Sequence, residues 1–125
     1  MNPIPRISES EWEVLSVLWD SAPLTAIQIC DRLSSKSWKL STVRTFLARL
    51  EKKGVVASAA GEDGKVYSPV LDREACVRDA SESFLDRVFN GAAASLLIHF
   101  AKSKRLSKRE LAELEVILAQ KRKEK

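Results

Sequence analysis

The sequence predicts a mainly α-helical chain interrupted by one small β-hairpin. Three observations carry that reading. Helix-capping patterns recur at Ser8-x-x-Glu11, Thr25-x-x-Gln28 and Ser107-x-x-Glu110, and apolar residues fall at helical spacing through most of the chain. The helical period lapses once, around the Gly-Glu-Asp-Gly stretch at 61–64.

Ser8 and Glu11 satisfy orphan N–H groups at the start of a helix that runs to about Asp20, with Trp12, Leu15, Leu18 and Trp19 on its apolar side. Pro23 ends it. Thr25 and Gln28 open a shorter helix whose buried side is expected to include Ile27, Ile29, Cys30 and Leu33. After the link SSKSWK, a third helix occupies KLSTVRTFLARLEKKG, with Ser41 expected as its cap and Gly54 at its stop. VVASAA and KVYSPV are β-type segments on either side of the turn. Helical pattern returns from Asp72 to Phe89 and is broken by Asn90-Gly91. It resumes in the apolar AAASLLIHFAK, and Ser107 and Glu110 cap a last helix. The break near residues 70–72 divides an α/β-hairpin domain, 1–71, from a helical region, 72–125.

Composition narrows the function. A hydrophobic content of 45% is enough for a packed core and excludes a disordered chain. Cys30 and Cys76 stand far apart with no CxxC pair, so reduced thiols are expected rather than a disulfide framework. One histidine and two distant cysteines make no metal-ligand cluster, and neither metal nor cofactor is expected. The start of the chain has no signal-peptide apolar run. The longest apolar run, AAASLLIHF, is about half of what a membrane span needs. A cytoplasmic protein without membrane insertion is the expectation. No motif supplies a base to a Ser or Cys, so an enzyme is not expected.

Three helices followed by a hairpin is the plan of the winged helix-turn-helix, in which the third helix enters the DNA major groove and the hairpin lies along the backbone. The third helix has a matching surface. Val43, Phe46, Leu47 and Leu50 form one side; Ser41, Thr45, Ala48 and Lys52 lie opposite, flanked by Arg44 and Arg49. Residues 36–54 carry six Lys/Arg against the single Glu51, a local excess larger than the +4 of the whole chain. Small residues permit close approach to base edges, arginine bonds guanine in bidentate fashion, and Thr meets a thymine methyl or a phosphate. Lys52, Lys53 and, on the wing, Lys65 are placed for phosphates. Trp12 and Trp19 are expected in the core; Trp38 either braces the turn before the third helix or touches the DNA backbone.

Four stretches, ISESEWEVLSVLW, STVRTFLARLEKKGVV, KVYSPV and ASLLIHFAKSKRLSKRELAELEVIL, resemble in colinear order the penicillinase-repressor family, the BlaI, MecI and CopY type. The likeness runs from Ile7 to about Leu118. It implies a homodimeric repressor with an N-terminal winged helix and interlocking C-terminal helices, bound to a dyad-symmetric operator of resistance genes. Carried over by position, it implies groove contacts from Ser41, Thr42, Arg44 and Thr45. Leu40 and Ser41 stand where members often have proline and lysine. It also implies relief of repression by a membrane-bound metalloprotease sensor, with cleavage between His99 and Phe100, although many members have asparagine in place of His99. The copper-responsive branch has paired cysteines near its C-terminus, and this chain has none after Cys76.

The apolar stripe Leu111, Leu114, Ile117 and Leu118, together with LLIHF, needs more cover than a small winged helix provides. A dimer interface of Phe84, Val88, Leu96, Leu97, Phe100, Leu111, Leu114, Ile117 and Leu118 is expected. Two other readings are compatible with the residues: a winged-helix protein-interaction module whose basic helix docks an acidic partner, and a ligand-sensing regulator without proteolytic control.

Overall fold

Helix α1, Glu9–Ser21, begins where its capping box closes: Ser8 Oγ accepts the Glu11 N–H at 3.2 Å and Glu11 Oε1 accepts the Ser8 N–H at 2.8 Å. The same reciprocal pair, Thr25 with Gln28, opens α2, Ala26–Arg32, and Ser107 with Glu110 opens α6, Lys108–Lys123. Between α2 and the third helix lies a single 3-10 turn, Ser34–Lys36. Helix α3 is Leu40–Lys52, strands β2 and β3 are Val56–Gly61 and Gly64–Pro69, and helices α4 and α5 are Arg73–Phe89 and Ala93–Lys102. The computed structural model of the protein describes residues 4–124.

Helix α3 starts earlier than its hydroxyls suggest. Its first residue is Leu40, preceded by Lys39, and no side chain caps it; Ser41 lies inside the first turn. Packing sets the entry instead. Trp38 and Leu40 are half-buried against the core, and the Trp38 ring meets Phe46 edge-on at 5.1 Å. The helix ends as expected. Gly54 takes φ +78°, the Gly54 N–H donates to Glu51 O and the Val55 N–H to Leu50 O, each at 3.0 Å. This is a Schellman closure, with Leu50 and Val55 both in the core.

The sheet has one strand more than the hairpin. Strand β1, Leu24–Thr25, pairs antiparallel with β3, Leu24 facing Tyr67 and Thr25 facing Val66, so the order is β1-β3-β2. Two residues carry no readable period, which hides β1 from the sequence. It ties the wing to the start of α2. Ile27, expected on the buried side, is exposed, because Ala26 and Ile29 occupy the core side of this short helix.

The core of the first unit joins Val14, Leu15 and Leu18 of α1, Ile29 of α2, and Val43, Leu47 and Leu50 of α3. Trp12 and Trp19, partly buried against it, meet edge-on at 5.4 Å. This unit ends at Ala80, beyond the 71/72 break read from the sequence. The reason is Cys76 of α4, which is fully buried in the same core. Trp19 Nε1 donates to Leu71 O at 3.0 Å and the Arg73 guanidinium lies 5.3 Å from the Trp19 ring, fastening the start of α4 to α1. The second unit, from Ser81 onward, comprises the rest of α4 with α5 and α6. Among the described residues, neither α5 nor α6 has a buried side chain.

Glu11 is the one buried charged residue of the described core, at 1% exposure. Burial alone would raise its carboxyl. The hydrogen bonds from Lys53 and from the N–H and hydroxyl of Ser8, with the Lys53 charge, outweigh burial and hold it below the usual carboxylate value of 4.5. Because the folded-state value is the lower one, the stabilisation is complete above about pH 4.5 and is lost as pH falls through the folded value. Glu11→Ala leaves the Lys53 ammonium partly exposed and still bonded to Arg6 O, and is expected to lower the unfolding free energy by about 1–3 kcal/mol at pH 7. In urea titrations the gap to the wild type should narrow steadily as the pH is taken below 4.5.

Candidate nucleic-acid interface

An α-helix that buries one stripe must present the opposite one. On α3, Val43, Leu47 and Leu50 are fully buried, and Ser41, Arg44, Thr45, Ala48, Arg49 and Lys52 are exposed on the far side. Thr42, half-buried, lies at the helix start. The Thr45 hydroxyl donates to Ser41 O at 3.0 Å, which leaves its acceptor lone pairs and methyl free for an outside contact. At 13 residues the helix is about 20 Å long, and a B-DNA major groove about 12 Å wide admits it.

The wing brings a second cation to this surface. Arg44 of α3 and Lys65 of β3 line one cleft with Thr25, Ile27, Asp63 and Tyr67. Lys65 stays mostly exposed, with its ammonium 5.6 Å from the Tyr67 ring centre and 3.6 Å from Glu51 Oε1. The turn connecting β2 and β3 has two residues, Glu62 and Asp63, between the paired Gly61 and Gly64. Gly64 adopts φ +115° there.

Lys53 departs from the expected set. Its ammonium donates to Glu11 Oε1 at 2.6 Å and to Arg6 O at 2.7 Å. That charge is used inside the unit, where it joins the end of α3 to the start of α1. The adjacent Lys52 is exposed. Two neighbouring lysines thus have opposite fates, and the hydrophobic stripe of α3 decides which is which. Sequence reasoning also missed Glu11 and Glu51 as organisers. The capping motif at Ser8 disclosed only Glu11's local role, since its partner Lys53 is 42 positions away.

His99 and Phe100 lie side by side within α5, ring centres 5.5 Å apart, and both are exposed. Of the residues expected at a dimer interface, Phe84, Val88, Leu97, Phe100, Ile117 and Leu118 are exposed, and Leu96, Leu111 and Leu114 are half-exposed. Among the described residues no cluster of three His, Cys, Asp or Glu forms a metal site, and no helix is long and apolar enough to cross a membrane. The Cys76 thiol is pushed up by burial and by the charges of Asp72 and Asp79, which suits a packing role.

The fold and this surface are those of a winged-helix DNA-binding protein. Residues 7–120 match the sequence profile of the penicillinase repressor family, and the chain belongs to that family. It is 35% identical to a penicillinase repressor of Bacillus licheniformis over 119 residues, covering 94% of this chain and 93% of that one. It is 31% identical to the methicillin resistance regulatory protein MecI of Staphylococcus aureus strain N315, covering 96% and 98%. Among solved structures, monomeric Bacillus licheniformis BlaI in complex with the blaP half-operator superposes with a TM-score of 0.52 at 33% identity, over 60% of this chain and 93% of that one.

The split between Lys52 and Lys53 is open to measurement. Lys53→Met is expected to cost about 3–5 kcal/mol in chemical denaturation, by leaving Glu11 buried without its partner. Lys52→Met should stay within about 0.5 kcal/mol of the wild type.

Proposed function

We propose that this chain is a homodimeric repressor that grips a dyad-symmetric operator with α3 and the wing of each subunit. The observation that carries the reading is the outward face of α3, where Arg44, Arg49 and Lys52 are all exposed and Arg44 shares a cleft with Lys65 of the wing. In this reading Ser41, Thr42, Arg44 and Thr45 meet base edges, and Arg49, Lys52 and Lys65 meet phosphates. The half-operator bound by the BlaI relative is consistent with one half-site per subunit. Two subunits double the basic surface and read both halves of a dyad, which supplies affinity that one small module lacks.

Dimerisation through the second unit is supported by its unpartnered apolar side chains. Phe84, Val88, Ile98, Val116 and Ile117 are all more than two-fifths exposed. Water contact on that scale is unfavourable for a soluble chain, and a second copy removes it symmetrically. Control by a membrane-bound metalloprotease, with resistance genes as targets, is the finer part of the reading. It places the scissile bond between His99 and Phe100. That bond lies inside α5, so a protease that takes extended substrates needs local unwinding, and because the proposed dimer covers Ile98 of the same helix, cleavage is expected on a chain whose α5 has left the interface.

Binding to the DNA upstream of its own gene should be saturable and resist competitor DNA; absence of such binding refutes the reading. Arg44→Ala is expected to cost about 1–3 kcal/mol on the preferred sequence and to relax specificity, while Lys65→Ala weakens all sequences alike and lowers the salt slope by about one. Ile117→Asp should convert a dimer in sedimentation into a monomer that binds a half-site only weakly.

A further inference from the structure

Glu51 is the only acid of α3 after the helix is entered, and it is disfavoured there twice. It sits in the last turn, at the negative end of the helix dipole. It also puts a negative charge beside Arg49 and Lys52 on a helix whose ligand is a polyanion. A residue so placed needs a compensating contact, and the wing supplies it. Glu51 Oε2 accepts a hydrogen bond from Ser58 Oγ at 2.7 Å, and Glu51 Oε1 lies 3.6 Å from Lys65 Nζ. Ser58 belongs to β2 and Lys65 to β3, so one carboxylate bridges both strands of the hairpin to the helix.

The register explains why these two residues are reachable together. Ser58 stands directly across from Tyr67, and Lys65 lies two residues before Tyr67 on β3, so all three share one face of the ribbon. Tyr67 is buried and anchors the base of the wing. Nearer the turn, β2 has only exposed residues, Ala59, Ala60 and Gly61, and no large apolar side chain to hold the wing against α3. The two contacts of Glu51 are unequal. The Ser58 bond is short, charge-assisted and partly buried; the Lys65 pair is long and lies in water, where such pairs contribute little.

We propose that Glu51 is a positioning residue for the wing: through Ser58 it sets the attitude of the hairpin against α3 and with it the place of Lys65 at the DNA surface, while the weak Lys65 pair gives way to a phosphate on binding. The proposal rests on the operator-binding reading above. An ammonium held loosely beside one carboxylate exchanges it for a phosphate at little cost, whereas a wing that swings freely must lose that freedom on binding.

The test uses the full chain with and without a duplex from its own upstream region. Amide exchange of residues 56–68 is followed by NMR in the free protein, and operator binding is followed across a salt series. Glu51→Ala and Ser58→Ala should each speed exchange in the wing and weaken operator binding about threefold to tenfold. Glu51→Ala should also lower the salt slope by close to one, and the double variant should be no worse than Glu51→Ala. Glu51→Gln, whose amide oxygen still accepts from Ser58, should restore slow exchange; a merely electrostatic role would not be rescued this way. The proposal is overturned by unchanged exchange in Glu51→Ala, by operator binding as tight as or tighter than the wild type, or by Gln behaving like Ala. If the wild-type chain binds no operator, the function reading fails, and the exchange data on the free protein still decide whether Glu51 holds the wing.

Discussion

The burial of one stripe of α3 is the constraint on which the rest depends. Val43, Leu47 and Leu50 are fully removed from water against α1 and α2, and each such side chain contributes on the order of 1.5–3 kcal/mol. A helix is rigid about its axis, so seating that stripe fixes the direction of every other residue. Arg44, Thr45 and Ala48 point outward because their neighbours cannot. Hydrophobic burial is non-directional in itself. The 3.6-residue period converts it into a direction for the polar face.

Charge then divides the C-terminal end of the same helix. Lys53 turns inward to Glu11 and the Arg6 carbonyl, Glu51 reaches the wing, and Lys52 remains in solvent. A buried carboxylate is costly unless paired, and Glu11 meets that condition at Oε1, which accepts from the Lys53 ammonium and the Ser8 N–H, while Oε2 is buried without a hydrogen-bond partner among the described residues. The pair therefore does more than stabilise. It pins the end of α3 to the beginning of α1, while the Schellman closure at Gly54 turns the chain into β2. Helix, wing and α1 are located relative to one another by contacts that lie within a few residues of position 53.

The second unit obeys the same physics with a different result. Its α6 opens on a capping box as α1 and α2 do, yet α5 and α6 bury no side chain. Three short helices enclose too little volume to hide their own apolar faces. What is core in the first unit is surface in the second, and that exposed apolar surface is the observation behind the proposed dimer.

By itself, the sequence determined the elements that arise from local rules. All three capping boxes formed, the hairpin turn fell between Gly61 and Gly64, Gly54 closed α3, and the exposed face of α3 was the one its periodicity predicts. Those features depend on residues three or four positions apart, so the chain displays them in plain order. Only the tertiary structure decided what depends on distant partners. It started α3 at Leu40, because Trp38 and Leu40 pack against the core, and it added β1 by pairing two residues with β3. It carried the first unit to Ala80 through the burial of Cys76, and withdrew Lys53 from the basic face because Glu11 lies 42 positions away in sequence and 2.6 Å away in space. Periodicity states which side of a helix is polar; which charge on that side is free depends on what the fold brings opposite it.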